Sequence, residues 1–298
     1  MEDKQLLKPK VDVVFHALFR KENKHLTEAL ISDILGEKIK VKTTDKDKEM
    51  SRKTADDKLG ILDLRTELEG GDLCNIEIQV AERKYEKERF LLYWADSYCN
   101  QLEKGDLYDK LHKTISIIIL DHELKELKGI EELGTKWQIR DEKTGKRMLT
   151  NHLEIVIIEI PKAKRIYEKN GKDRISQWMI FFDDPNKKEV SRIMEDNKKI
   201  KEAVEELHIV SKDEELRRIA QLREKAIRDE AAALELAIER GMKQGIEQGL
   251  EQGLEQGIEK GAANKAIEIA KNMLQEKFTI ETIIKITGLK KEEIDKLI

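Results

Sequence analysis

Residues 61–80 read "ILDLRTELEGGDLCNIEIQV", two alternating segments joined through an acidic–glycine turn. Successive strand side chains point to opposite faces, so Ile76, Ile78 and Val80 share one face while Glu77 and Gln79 share the other. Two long polar groups side by side in an otherwise apolar strand mean that this face meets water, or that the pair does chemistry. The loop length sets which residues of the first strand oppose them. With a two-residue Gly70–Gly71 turn, Asp63 falls opposite Ile78, on the wrong face. With a three-residue loop of Glu69, Gly70 and Gly71, Leu68 pairs with Asp72 and Asp63 lies directly opposite Glu77. That loop class usually needs a left-handed residue at its last position, and Gly71 suits it. On this register Asp63, Glu77 and Gln79 converge.

Like charges directly opposite destabilise a sheet. A hard divalent cation such as Mg²⁺ or Mn²⁺ removes the conflict, because it prefers oxygen ligands and commonly takes one or two carboxylates plus waters. Gln79 cannot act as a base, but its amide can orient a water or a phosphate oxygen. The backbone carbonyl of Ile78 offers a third oxygen beside Asp63 and Glu77. The plainer alternative is a half-exposed hairpin with a polar outer face, Arg65 lying against the acids.

Outward from the hairpin, "DVVFHALFRKENKHLTEALISDIL" predicts a helix with Asp12 at its cap and a break near Glu22–Asn23. "KIKVKTT" alternates like a strand, and "ERKYEKERFLLYWADSYCNQL" predicts a helix carrying Arg89 and Tyr93 four residues apart. Those two could reach the same site or a phosphate, although a packed Tyr93 and a solvated Arg89 fit the spacing equally. Trp94 and Tyr98 read as core. "KTISIIILD" is a nearly continuous apolar strand of the kind covered on both faces. "KWQIRDEKTGKRML" reads as a hairpin and "HLEIVIIEI" as a strand ending at Pro161. Together these predict a mixed α/β domain over 1–170.

Past residue 170 the strand signals stop, and a helical region over 171–298 is expected. "KDEELRRIAQLREKAIRDEAAALELAIER" has the composition of a long solvated helix or coiled coil. Between 241 and 261 glycine then recurs every fourth residue, six times. At about 1 kcal/mol each relative to alanine, six glycines cost ~6 kcal/mol, so an isolated helix should not survive there. The slanted glycine stripe, with Ile246, Leu250, Leu254 and Ile258 beside it, suits close approach of another helix, hence a homo-oligomer. A frayed tether left by repeat expansion accounts for it equally well. Residues 279–298 form two short helical runs around Gly288, a helix-turn-helix or an ordinary hairpin.

Charged residues are 40% of the chain against roughly 25% in ordinary domains, which implies much solvated helix surface. The net charge of −4 excludes a polycation, so any nucleic-acid contact must come from a local patch. One such patch is 38–58, where eight Lys/Arg against five Asp/Glu leave +3. Two cysteines without metal-ligand spacing and no long apolar run predict a cytoplasmic chain with no membrane span.

An early aspartate followed by "FHALF", then "LDLR", a short acidic–glycine turn, "NIEIQ", and "ERFLLYWADSYCNQLEKGDLYDKLHKTISIIILD" resemble the recombination-promoting nuclease (Rpn)/putative transposase family. That family is a branch of the PD-(D/E)XK nuclease superfamily, and the likeness covers about 8–165. The resemblance implies a restriction-endonuclease-like mixed sheet, Mg²⁺ or Mn²⁺, and hydrolysis of DNA phosphodiesters, in recombination, mobile-element or defence biology. It maps the catalytic acids onto Asp63 and Glu77 and the last polar position onto Gln79. There the superfamily has lysine, whereas glutamine is usual in this branch. In some relatives a first-helix acid supports the site, a role that would fall to Asp12. The competing expectation is a catalytically weak or inactive DNA-binding, oligomerising protein that works through its C-terminal helices.

Overall fold

The computed structural model describes residues 5–45 and 64–298. Asp63 and most of the basic stretch 38–58 therefore lie outside the described residues. Two helices, α1 (Asp12–Leu18) and α2 (Lys24–Leu35), are separated by a 3₁₀ turn at Lys21–Asn23, where the sequence predicts a break. Three strands follow, β1 (Val41–Asp45), β2 (Leu64–Leu68) and β3 (Leu73–Gln79), then α3 (Glu86–Cys99). Next come β4 (Thr114–Leu120), β5 (Gly134–Trp137) and β6 (Leu153–Glu159). Helices α4 (Ala163–Lys169), α5 (Arg174–Asp183), α6 (Lys188–Asp196) and α7 (Lys198–Val210) complete the element list up to a long helix.

The strands form one sheet in the order β1-β2-β3-β4-β6-β5. Strands β3, β4 and β6 run parallel, and β1, β2 and β5 pair antiparallel with their neighbours. Parallel central strands are covered on both faces, which is why β4 is buried at every position. One face packs Ile76, Ile78, Ile117 and Ile119 beneath α1, α2 and α5, where Phe15, Phe19, Trp178 and Phe182 cluster. The other packs Ile118, Leu120, Ile155 and Ile157 with Phe90 of α3.

Two expectations are modified. Asp12 is the first residue of α1 rather than its cap; Val11 holds the cap position and no side chain caps the helix. Asp12 instead lies 3.5 Å from Arg223, and its charge in the first turn suits the positive end of the helix. The second concerns α5–α7, which the sequence places in the C-terminal region beyond 170. Trp178, Phe181, Phe182, Ile193, Ile200 and Leu207 are buried in the same core as the sheet, and the compact unit runs to Asp229. Helical periodicity shows that a segment is amphipathic, not which core its apolar face joins.

The second unit spans Glu230–Ile298. Helix α8 (Glu214–Gln275) continues without interruption through all six glycines. Propagating an existing helix adds one hydrogen bond per residue without a new nucleus, so the Ala-, Glu- and Leu-rich flanks carry it across the poor stretch. Every residue from 228 to 265 is exposed, and nothing lies within 4 Å of where a Cβ would stand on any of the six glycines. Helices α9 (Ile280–Thr287) and α10 (Lys291–Asp295) follow, with Gly288 in the left-handed conformation closing α9. Ala270, Ile283 and Ile294 form a small core joining α8, α9 and α10.

Beneath the sheet Lys162 and Glu159 form an ion pair, Nζ to Oε2 2.5 Å, with both side chains 1% exposed. Glu159 also accepts the Leu124 N–H, and the Lys162 ammonium donates to the Leu127 carbonyl. Removing one partner strands the other as a buried charge. Lys162→Met should therefore lower unfolding free energy by about 3–5 kcal/mol in urea melts. A loss below about 1 kcal/mol, the range of exposed pairs, would refute that account.

Candidate active site

The hairpin register is the one that the three-residue loop requires. Leu64 pairs with Ile76, Arg65 with Asn75, Thr66 with Cys74, and Leu68 donates its N–H to the Asp72 carbonyl. Gly71 has φ +96°, and a Cβ there would meet the His112 ring at 2.5 Å. The conformation favours glycine at this turn, whereas the exposed His112 ring could move aside. The described part of β2 begins at Leu64, one residue short of Asp63, whose expected position opposite Glu77 belongs to the undescribed stretch.

Glu77 and Gln79 project from the face of β3 that α3 covers, and both are buried, 7% and 6% exposed. Of the two explanations for their alternation, exposure to water is eliminated. Glu77 Oε2 and Gln79 Oε1 have no hydrogen-bond partner among the described residues. Burial pushes the Glu77 carboxyl up to about 7, and the charges of Arg89 and Arg83 pull it partway back. A buried carboxylate with an unpaired oxygen is costly until a cation reaches it.

Arg89 is half-buried on α3 and donates from Nη2 and Nε to the Tyr93 hydroxyl, at 2.6 and 3.2 Å. Tyr93 is buried. Both therefore stand on the inner side of α3, with the Arg89 charge acting on Glu77. Trp94 and Tyr98 stack at 4.9 Å and hydrogen-bond to Thr114 and His152; Trp94 packs partly buried against the core on this face, whereas Tyr98 is partly exposed and joins no buried cluster among the described residues. Arg65 pairs with Asp96 of α3 rather than with Glu77. Ile78 is buried between the two polar residues, its side chain on the opposite face.

Sequence reasoning missed Glu86 and His122. Glu86 opens α3 and is 5% exposed. It accepts from the Gln79 amide at 2.9 Å, the Arg83 backbone N–H at 2.5 Å and His122 Nε2 at 3.0–3.1 Å. A signal was present: Glu86, Phe90, Tyr93 and Ser97 recur at helical spacing, so Glu86 occupies a position on the buried stripe. Chemistry elsewhere is limited. Burial raises the Cys74 thiol to about 12, which keeps it protonated. Among the described residues, no group of three or more His, Cys, Asp or Glu could hold a metal ion.

A mixed sheet whose central strand carries a buried acid two residues before a buried amide, flanked by helices, defines a restriction-endonuclease-like α/β protein. The chain matches the PD-(D/E)XK nuclease family transposase over residues 9–237 and belongs to that family. Residues 263–298, which include α9 and α10, match the C-terminal HTH domain of the Rpn/YhgA-like nuclease family. No curated protein and no solved structure matches the chain. No described helix is long and apolar enough to cross a membrane.

Proposed function

We propose that the protein is a metal-dependent DNA endonuclease whose site is built from Asp63, Glu77 and Gln79. Membership of the PD-(D/E)XK family, whose nucleases generally use divalent metal ions, supports the class. The observation that carries the site is Glu77: a buried carboxyl with an unpaired oxygen, beside an amide oxygen equally unpaired. These are the oxygen donors that Mg²⁺ or Mn²⁺ selects, so the residues present fit such an ion. Asp63, Glu77 and the Ile78 carbonyl would hold it. Bound there, a divalent ion supplies Lewis acidity at a phosphoryl oxygen and lowers the pKa of water.

Gln79 positions the attacking water, and Arg89, steadied by Tyr93, adds positive charge for the phosphate. Asp12, engaged by Arg223 and about two-fifths exposed, needs no part in this reading. The helix-turn-helix would hold the duplex, and α8 would pair copies of the chain through its glycine stripe, so that two sites can cut two strands. The free cysteines suit a reducing, cytoplasmic setting, and recombination or mobile-element processing suits the family.

The test is supercoiled plasmid with and without Mg²⁺ or Mn²⁺. Metal-dependent nicking should fall at least ~100-fold in Asp63→Ala and in Glu77→Ala, since several kcal/mol of transition-state stabilisation go with the ion. Cleavage unchanged in both variants refutes the site. The helix-turn-helix match favours one rival, a DNA-binding protein without useful catalysis. Duplex binding that never leads to cleavage, and that is lost on deleting 263–298, would establish it.

A further inference from the structure

Gln79 has one amide to offer, and which end faces the site decides what it can do. Its Nε2 lies 2.9 Å from Glu86 Oε1 and 3.3 Å from the Ala81 carbonyl oxygen. A backbone carbonyl can only accept, so the group facing the Ala81 carbonyl, and with it Glu86, must be the NH₂. The network therefore assigns the amide orientation. The Oε1 is left buried, unpartnered among the described residues, and on the same face of β3 as Glu77.

Glu86 is itself held in place. The chain leaves β3, turns through Tyr85 in the left-handed conformation at φ 62°, and returns Glu86 against Gln79 seven residues later. Such a conformation is uncommon in a non-glycine residue and persists where surrounding contacts over-determine it. Those contacts include the Arg83 N–H and His122 Nε2, which straddles both carboxylate oxygens from the loop after β4. Nε2 is thus the ring nitrogen that faces the carboxylate.

Building on the proposed nuclease site, we propose that Glu86, held by His122, is a positioning residue that fixes Gln79 with its carbonyl oxygen as the only group available to the metal site. Gln79 then accepts: it can receive a hydrogen bond from a water or contribute an oxygen to a divalent cation. It cannot donate to a phosphate oxygen, because both amide hydrogens are already committed. The pair thus meets the need for an acceptor at this strand position while keeping the side chain neutral, which adds no further charge beside Glu77. Glu86 acts only through Gln79, so its effect should vanish when Gln79 is absent.

Mn²⁺ binding to the purified full-length protein, without DNA, reads this directly through the electron paramagnetic resonance of free Mn²⁺. The unmodified protein should bind. Glu86→Ala should weaken binding by about 10-fold or more, the usual effect of losing a residue that orients a ligand. Glu86→Gln should stay close to the unmodified protein, because an amide oxygen still accepts from Gln79 and His122 can present its other tautomer. The decisive variant is Gln79→Leu/Glu86→Ala, expected to match Gln79→Leu alone, whereas a merely structural role for Glu86 would add a further loss.

Unweakened binding in Glu86→Ala, or additive losses in the double variant, overturns the inference while leaving the metal site standing. Absence of Mn²⁺ binding by the unmodified protein overturns both. Should Glu86→Ala fail to fold, the side-chain NH₂ resonances of Gln79, assigned by their loss in Gln79→Leu, decide. Protection from solvent exchange in the unmodified protein supports the committed amide, and fast exchange refutes it.

Discussion

Glu77→Gln should make the metal-free protein more stable at pH 8 while abolishing its stabilisation by Mg²⁺ or Mn²⁺. The Glu77 carboxyl is displaced from its ordinary value of 4.5 to about 7 because burial disfavours the charged form more than Arg89 and Arg83 restore it. The folded state therefore keeps this proton between pH 4.5 and about 7, where the unfolded chain releases it. Stability contributed by the residue is fully present below pH 4.5 and declines as pH rises to about 7, because the folded state binds more protons across that window. At about 1.4 kcal/mol per pH unit, a window of that width amounts to ~3 kcal/mol.

Glutamine keeps the shape and cannot ionise, so the variant should gain on the order of 1–3 kcal/mol at pH 8 and little at pH 4.5. A cation competes with the same proton, so metal stabilisation of the unmodified protein should grow as pH rises through about 7. At a metal concentration 100 times Kd it should reach about 2.7 kcal/mol. Urea melts at pH 5 and pH 8, with and without metal, make the comparison. A variant no more stable than the parent at pH 8 would mean that the Glu77 charge is already compensated without metal. That outcome would remove the main physical argument for a cation there.

Replacing all six repeat glycines, Gly241 to Gly261, with alanine should strengthen α8 and weaken association between copies. Each substitution recovers about 1 kcal/mol of helix propensity, ~6 kcal/mol over the set. Within one chain nothing opposes the gain, since each added methyl enters open space. A row of apolar side chains follows the stripe: Met242, Ile246, Leu250, Leu254 and Ile258 are each 65–70% exposed. Pairing two chains along the stripe would bury that row, with backbones in close approach where Cβ atoms are missing.

Alanine fills that gap. Helicity by circular dichroism and amide protection across 241–261 should rise, while analytical ultracentrifugation should show a smaller species or weaker association. Raised helicity with association unchanged or stronger would rule out a close-packed glycine interface and favour a solvated tether.

The strand frame of the candidate site is legible in the sequence. Loop length and a left-handed glycine were enough to predict the β2–β3 register, which the Leu64–Ile76 and Arg65–Asn75 pairs follow. Strand alternation placed Glu77 and Gln79 together, and an uninterrupted apolar run marked β4 as buried on both faces. Such features are local, determined within a few residues of the chain by backbone geometry and period.

Other features depend on which element covers which. The sequence left open whether the Glu77 face met water, and α3 packing over it decided the matter. Glu86 joins Gln79 across 7 positions of chain through a left-handed turn, His122 joins Glu86 across 36 from beyond a neighbouring strand, and no period encodes that meeting. The same holds for α5–α7, whose amphipathic pattern announced helices without saying that Trp178 and Phe182 would complete the core beneath the sheet. Sequence by itself determined the hairpin register, the alternation and the family motifs, because these follow from covalent neighbours and repeat period. Tertiary structure alone decided the burial of Glu77, the orientation of the Gln79 amide and the extent of the core, because those depend on distant segments excluding water from the same place.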